Sequence, residues 1–260
     1  MTIRNAICCT LGLLAGCGWQ ATKPSPALAL PSGSVHLVHL PGIAGDTAFD
    51  RWWMGALKDG GAADRIELYD WTCHDPWIHA LQAYNRNHQQ ARRVTDLVVA
   101  RVRSDPRGEV VLTAESGGAG IAVWALEGLP KDVQVQSLLL IAPALSRDYD
   151  LTAALRHVRG KAYAFTSGGD VIMLGAGTRL FGTMDGKKTE AAGLVGFHQP
   201  ASADARQYHK LIEIKYDLAW MIWGNFGSHA GGLSSAFARH VLAPLLVRAE
   251  MRSQSERAER

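Results

Sequence analysis

The stretch VVLTAESGGAGIAVWALEGL, Val110 to Leu129, decides the reading of this chain. Val110-Val111-Leu112-Thr113 is a short apolar run of strand-forming residues. Ala114-Glu115-Ser116-Gly117-Gly118 turns, and the remainder follows a helix pattern that ends near Gly128. A serine between a buried strand and a helix, with glycines behind it, has the sequence form of a nucleophile elbow. The turn pushes the hydroxyl out of the sheet, beside the N–H groups and positive dipole of a helix N-terminus.

Working outward, the chain alternates strands with helices. Upstream, Val35 to Leu40 reads as a strand that breaks at Pro41-Gly42-Ile43-Ala44-Gly45-Asp46. A short helix is expected over Asp50 to Lys58, a strand over Arg65 to Tyr69, and a longer helix over Arg86 to Arg103. In that longer helix Ala91, Val94, Leu97, Val98 and Val102 recur at helical spacing, until Asp105-Pro106-Arg107-Gly108 stops it. Downstream, strands are expected at Val133 to Ile141, Lys161 to Thr166 and Leu211 to Tyr216, with a brief helix at Leu151 to Val158. Residues 171 to 210 read mostly as loop, with one candidate strand at Gly193 to Phe197. The loop Gly224 to Gly232 leads to a closing helix, Ser234 to Arg248, whose Phe237, Val241 and Leu245 should face inward. The expected fold class is therefore α/β, a mostly parallel central sheet with helices on both faces, in one domain over 35–250. Only Ala142 to Gly160 separates two of the strands where a cap would be inserted, so the cap should be minimal.

A serine hydroxyl is a poor nucleophile at neutral pH and needs a base, which in turn needs an acid to orient it. His229 lies on the glycine-flanked loop after the last strand and is the candidate base, with His198, His209 and His240 as rivals. Asp170 follows the strand ending at Thr166, in a Ser-Gly-Gly-Asp turn, and is the candidate acid; Asp148 and Asp150 are the rivals. Ser116, Asp170 and His229 then each follow a strand, in that order. Glu115, beside the serine, reads as a hydrogen-bonding support rather than a second acid.

With these residues in view, the chain resembles the α/β-hydrolase-fold serine hydrolases of the lipase/esterase type, over nearly all of Val35 to Arg248. The resemblance rests on His39-Leu40-Pro41-Gly42, on Glu115-Ser116-Gly117-Gly118, on Asp170 and on His229. It implies cleavage of carboxylic esters through an acyl-enzyme, with an oxyanion hole formed by the N–H groups of Gly117 and Ile43 (or Ala44). It departs from the family at Ala114, where the G-x-S-x-G pattern has its first glycine. That departure keeps open a non-catalytic envelope protein on the same fold, and an acyltransferase would use the same three residues. Val171, Ile172, Met173 and Leu174 would line an open apolar cleft, which suits small lipid or acyl esters.

The amino end reads differently. One arginine followed by the apolar run Ala6 to Ala15 has the form of a signal peptide, 1–16, too short to span a bilayer permanently. It ends in Leu14-Ala15-Gly16-Cys17, which resembles the lipobox of bacterial lipoproteins and implies lipid on Cys17, with anchoring in the cell envelope. Residues 17–34 carry the lipidated cysteine and a proline-containing tether, and 251–260 form a polar tail. Of the four cysteines only Cys73 lies in the domain, which excludes an internal disulfide there. A net charge of +3 from scattered basic residues argues against nucleic acid as a partner. His36 with His39, and His74 with His79, lack a third partner at ligand spacing, so no metal is expected. Nor is a dinucleotide cofactor: the third glycine of a G-x-G-x-x-G loop starting at Gly118 would be Val123.

Overall fold

A computed structural model describes residues 32–75, 77–167 and 182–247. The chain divides into two units, Met1–Leu30 and Pro31–Arg260, and every described residue belongs to the second. Its frame is a six-stranded sheet in the order β2-β1-β3-β4-β5-β6. The strands are β1 (Val35–Leu40), β2 (Arg65–Leu68), β3 (Glu109–Glu115), β4 (Ser137–Ile141), β5 (Ala162–Phe165) and β6 (Leu211–Ile214), and every pairing is parallel. All five residues of β4 and all but the first of β3 are buried, the pattern of strands covered on both faces.

Strand order reverses between β1 and β3. The crossover from β1 to β2 steps one way; those from β2 onward step the other. Because such crossovers are right-handed, α1 (Ala48–Asp59) lies on one face, while α3 (Tyr84–Ser104) and α4 (Gly118–Glu127) lie on the other. A short α2 (Ile78–Gln82) precedes α3, and α5 (Thr152–Arg156) packs beside α4. Helix α1 begins two residues earlier than its apolar pattern implied, because Thr47 caps it. Thr47 and Asp50 form a reciprocal capping box that satisfies two otherwise unpaired N–H groups.

The strand expected over Val133 to Ile141 is formed only from Ser137, and Ala205–Tyr208 is a helical turn within the segment read mostly as loop; two further differences change the packing. Gly193 to Phe197 is not a strand: Ala192–Val195 is a helical turn, closed by Gly196 at φ +87°. Hydrogen bonds from Ala192 and Gly193 to the Leu145 and Pro143 carbonyls fix it, contacts that no short apolar run could announce. The closing helix is interrupted. It runs as Ser235–Phe237, a π turn over Ala238–Leu242, and Ala243–Leu246. Pro244 has no N–H to give to the carbonyl four residues back, and the wider turn falls just before it. One extra residue in the turn moves the inward face, so Leu242 and Leu246 are fully buried while Val241 and Leu245 are only partly so.

The end of the tether is docked rather than loose. Gly33 and Ser34 donate their N–H groups to the Asp105 carboxylate at 2.8 and 3.2 Å. Those bonds, the Gly33 one foremost, hold Asp105 below the usual carboxylate range.

Candidate active site

Ser116 sits at the reversal point, at the carboxyl end of β3, where a crevice opens between strands that diverge in connection. Its φ is +50°, a left-handed conformation that costs a residue with a β-carbon of the order of 1 kcal/mol or more. The surroundings hold it there: the Ser116 N–H donates to the Ile141 carbonyl at 2.9 Å, and its own carbonyl accepts from Ala144 at 3.0 Å. Ala114 does not disturb this turn. It lies in register between Leu40 of β1 and Leu140 of β4, fully buried, so its methyl group is part of the core.

The two glycines after the serine admit the loop that follows β1. A β-carbon on Gly118 would lie 2.5 Å from the carbonyl oxygens of both Leu40 and Pro41. One on Gly117 would lie 2.8 Å from Ile43 Cγ2 and 3.1 Å from Trp71 Cζ2. The Ile43 side chain therefore packs against Gly117, the other residue expected to supply an oxyanion donor. Trp71 secures the loop by donating its indole N–H to the Pro41 carbonyl at 2.7 Å. Beneath the loop, His39 is fully buried between strand and helix, with Nδ1 3.0 Å from Thr113 Oγ1 and Nε2 3.2 Å from Asp50 Oδ1. A carboxylate only accepts, so Nε2–H donates to Asp50. Burial pushes the Asp50 carboxyl up, but hydrogen bonds from His39 and Thr47 outweigh it and the net direction is down. His39 thus braces the loop through the cap of α1.

His229 reaches the serine from the far end of the chain. Its Nε2 lies 2.9 Å from Ser116 Oγ, with about a fifth of the side chain exposed. The loop that carries it is built on turns: Gly224 and Gly227 both have φ +74°, and Asn225 accepts the Gly227 N–H at 3.0 Å. Trp53 of α1 donates to the Gly232 carbonyl at 3.0 Å, and Tyr216 donates to the Asn225 carbonyl at 3.2 Å. Glu115 points into the same corner, its Oε1 3.7 Å from His229 Nε2.

Asp170 lies outside the described residues, as do Val171 to Leu174 and Cys17. The rival acids have other partners: Asp148 pairs with His198 at 2.9 Å on an exposed surface, and Asp150 accepts the Thr152 N–H at 2.8 Å at the start of α5. Of the rival bases, His209 is exposed and His240 stacks on Trp223 at 4.1 Å. His36 approaches Glu67 at 3.4 Å, which leaves it facing a carboxylate rather than His39. Among the described residues no group of three or more His, Cys, Asp or Glu side chains is placed to hold a metal ion. One part of the site, the Trp71 clamp, had no distinct sequence signal. His39 reads from the sequence as a brace for the loop rather than a metal ligand, but its partners Asp50 and Thr113 were not evident there; the capping pattern at Thr47 and Asp50 was the clue to the first of them.

A parallel sheet with this strand order, and a left-handed serine at its reversal point facing a histidine after the last strand, is the α/β-hydrolase fold. Comparison with known proteins gives likenesses of shape only. No family model matches the sequence, and no curated protein does. Among solved structures, a hydrolase of the alpha/beta superfamily from Xanthomonas campestris pv. campestris is 18% identical, with a TM-score of 0.49 over 81% of this chain and 97% of that one. An acetylxylan esterase is 11% identical, TM-score 0.46, over 82% and 97% respectively. A cutinase-like protein from Cryptococcus sp. is 16% identical, TM-score 0.39, over 82% and 90%.

Proposed function

We propose that this protein is a serine hydrolase of carboxylic esters, with Ser116 as nucleophile, His229 as general base and Asp170 as the acid that orients it. The observation that carries the reading is the 2.9 Å separation of Ser116 Oγ and His229 Nε2 on a serine held at φ +50°. In this reading Ser116 Oγ attacks the acyl carbon and its proton passes to His229 Nε2. The carbonyl electron pair becomes an oxyanion that takes hydrogen bonds from the Ile43 and Gly117 N–H groups. His229 then gives the proton to the leaving alcohol, and water repeats the sequence to release the acid. No cofactor is required.

Apolar side chains support an apolar ester as substrate. Phe49 and Trp52 on the first turns of α1, which follows β1, and Leu218, Ile222 and Phe226 between β6 and His229, are each more than 60% exposed. Lipid on Cys17 would hold the enzyme in the cell envelope, close to such substrates. Incubation with a fluorophosphonate probe should add one phosphonyl group to Ser116, and a short p-nitrophenyl ester should be hydrolysed. Ser116→Ala should do neither; turnover by that variant at the wild-type rate rejects the assignment. The mass of the protein extracted from membranes tests the anchor, since an unmodified Cys17 rules it out.

A further inference from the structure

We infer that Glu115 is an electrostatic positioning residue for His229, stabilising the imidazolium that forms when Ser116 gives up its proton. The inference rests on the hydrolase reading above and names a fourth side chain at its centre. Glu115 is the last residue of β3 and is only 6% exposed. Two parts of the fold meet its carboxylate. Oε1 is 3.7 Å from His229 Nε2, the nitrogen that also faces Ser116 Oγ. Oε2 lies where a side chain on Gly42 would begin, so in this rotamer the carboxylate fills the space that residue 42 leaves open.

A separation of 3.7 Å is too long for a hydrogen bond but still within the reach of an ion pair. Glu115 therefore leaves the Nε2 proton aimed at Ser116 and the leaving oxygen, and acts on its charge instead. Before proton transfer the imidazole is neutral and gains little; afterwards it is cationic beside a buried carboxylate. Such a contribution exists in the transition state and not in the substrate complex. Charged groups on the segments that follow the adjoining strands have partners of their own. Asp46 pairs with Arg51 at 2.8 Å, Asp50 bonds His39, Asp70 caps Thr72 and Arg147 faces Glu190 at 3.6 Å. Asp170, proposed for the opposite ring nitrogen, is common to every variant below.

The test compares full-length wild type with Glu115→Gln, which keeps the shape and removes the charge, and Glu115→Asp, which keeps the charge. Two readouts are needed: kcat and KM on a short p-nitrophenyl ester, and the titration of the His229 ring followed by NMR. Glu115→Gln should lower kcat by about 10- to 100-fold, with KM within about 3-fold of wild type. It should also move the His229 titration about one unit toward acid pH. Glu115→Asp should recover part of both. A Gln variant with wild-type kcat, a loss confined to KM, or an unmoved His229 titration overturns the inference. If wild type neither turns over the ester nor takes the fluorophosphonate, the hydrolase reading fails, while the titration still decides whether Glu115 acts on His229.

Discussion

The carboxylate of Glu115 occupies the space into which a side chain on Gly42 would project. Strand β3 and the loop after β1 are therefore fitted to each other at one atom. Gly42→Ala should turn the carboxylate aside and cost about 1 kcal/mol of stability, the low end of the range for overpacking, because the obstacle is the end of a flexible side chain. Glu115→Ala in the same chain should recover most of that cost. Denaturant titration of the two single variants and the double variant measures the coupling. Strictly additive losses would show that the two residues do not compete for space.

Gly118 should be less tolerant than Gly117. A β-carbon at Gly118 meets two main-chain carbonyl oxygens at 2.5 Å, which cannot move without shifting the 41–47 loop. At Gly117 the obstacles are side-chain atoms of Ile43 and Trp71, at 2.8 and 3.1 Å, which can give slightly. Gly118→Ala is expected to lose about 3 kcal/mol or more, and Gly117→Ala about 1–2 kcal/mol. Equilibrium unfolding ranks them, and the reverse order would contradict the packing described.

The strands and their parallel sheet were legible because buried parallel strands leave continuous apolar runs, and the glycines between them mark the turns; the order in which they pair was not. Ser116 and His229 were legible for the same reason: each follows a strand, on a turn built for close approach. What escaped lay in contacts with no local signature. The helical turn at Ala192–Val195 is imposed by carbonyls nearly fifty residues earlier in the chain, and its four residues could equally have extended. The shift of the closing helix from Val241 and Leu245 to Leu242 and Leu246 was written in Pro244, but a proline signals a disturbance without its direction. The departure at Ala114 needed the register to interpret, since its methyl group sits within the sheet and not at the turn.

Strain at the serine gives a third expectation. Ser116 adopts φ +50°, which glycine accepts without cost and alanine does not. Ser116→Gly and Ser116→Ala both remove the nucleophile and should be equally inactive. They should differ in stability, with the glycine variant about 0.5–1 kcal/mol more stable once its greater unfolded-chain entropy is offset against the relief of strain. Thermal unfolding of the two separates them. An alanine variant of equal or higher stability would show that the elbow holds no strain.

The last expectation concerns pH and a carboxylate remote from the serine. Glu127 ends α4 and lines a cavity of about 560 Å³ together with Trp124, Tyr149 and His88. Burial pushes its carboxyl up to about 7, against the opposing hydrogen bond donated by Tyr149 at 3.0 Å, with Asp150 adding to the rise. Folded Glu127 thus keeps a proton that the unfolded chain releases near 4.5. Stability from this group is fully present below pH 4.5 and falls as pH rises through 7. His88 titrates in an overlapping window with the opposite sign, since burial lowers it and favours the folded state as pH rises. Glu67, held down to about 2 by its hydrogen bond with His36 and by Arg101, acts only at lower pH. Comparing wild type with Glu127→Gln isolates the one group, because the amide still accepts from Tyr149 but does not ionise. Between pH 4.5 and 8 the variant should gain about 2 kcal/mol relative to wild type, allowing for partial solvent contact. Chemical denaturation at the two pH values measures this, and parallel curves for the two proteins would mean that Glu127 ionises normally in the fold.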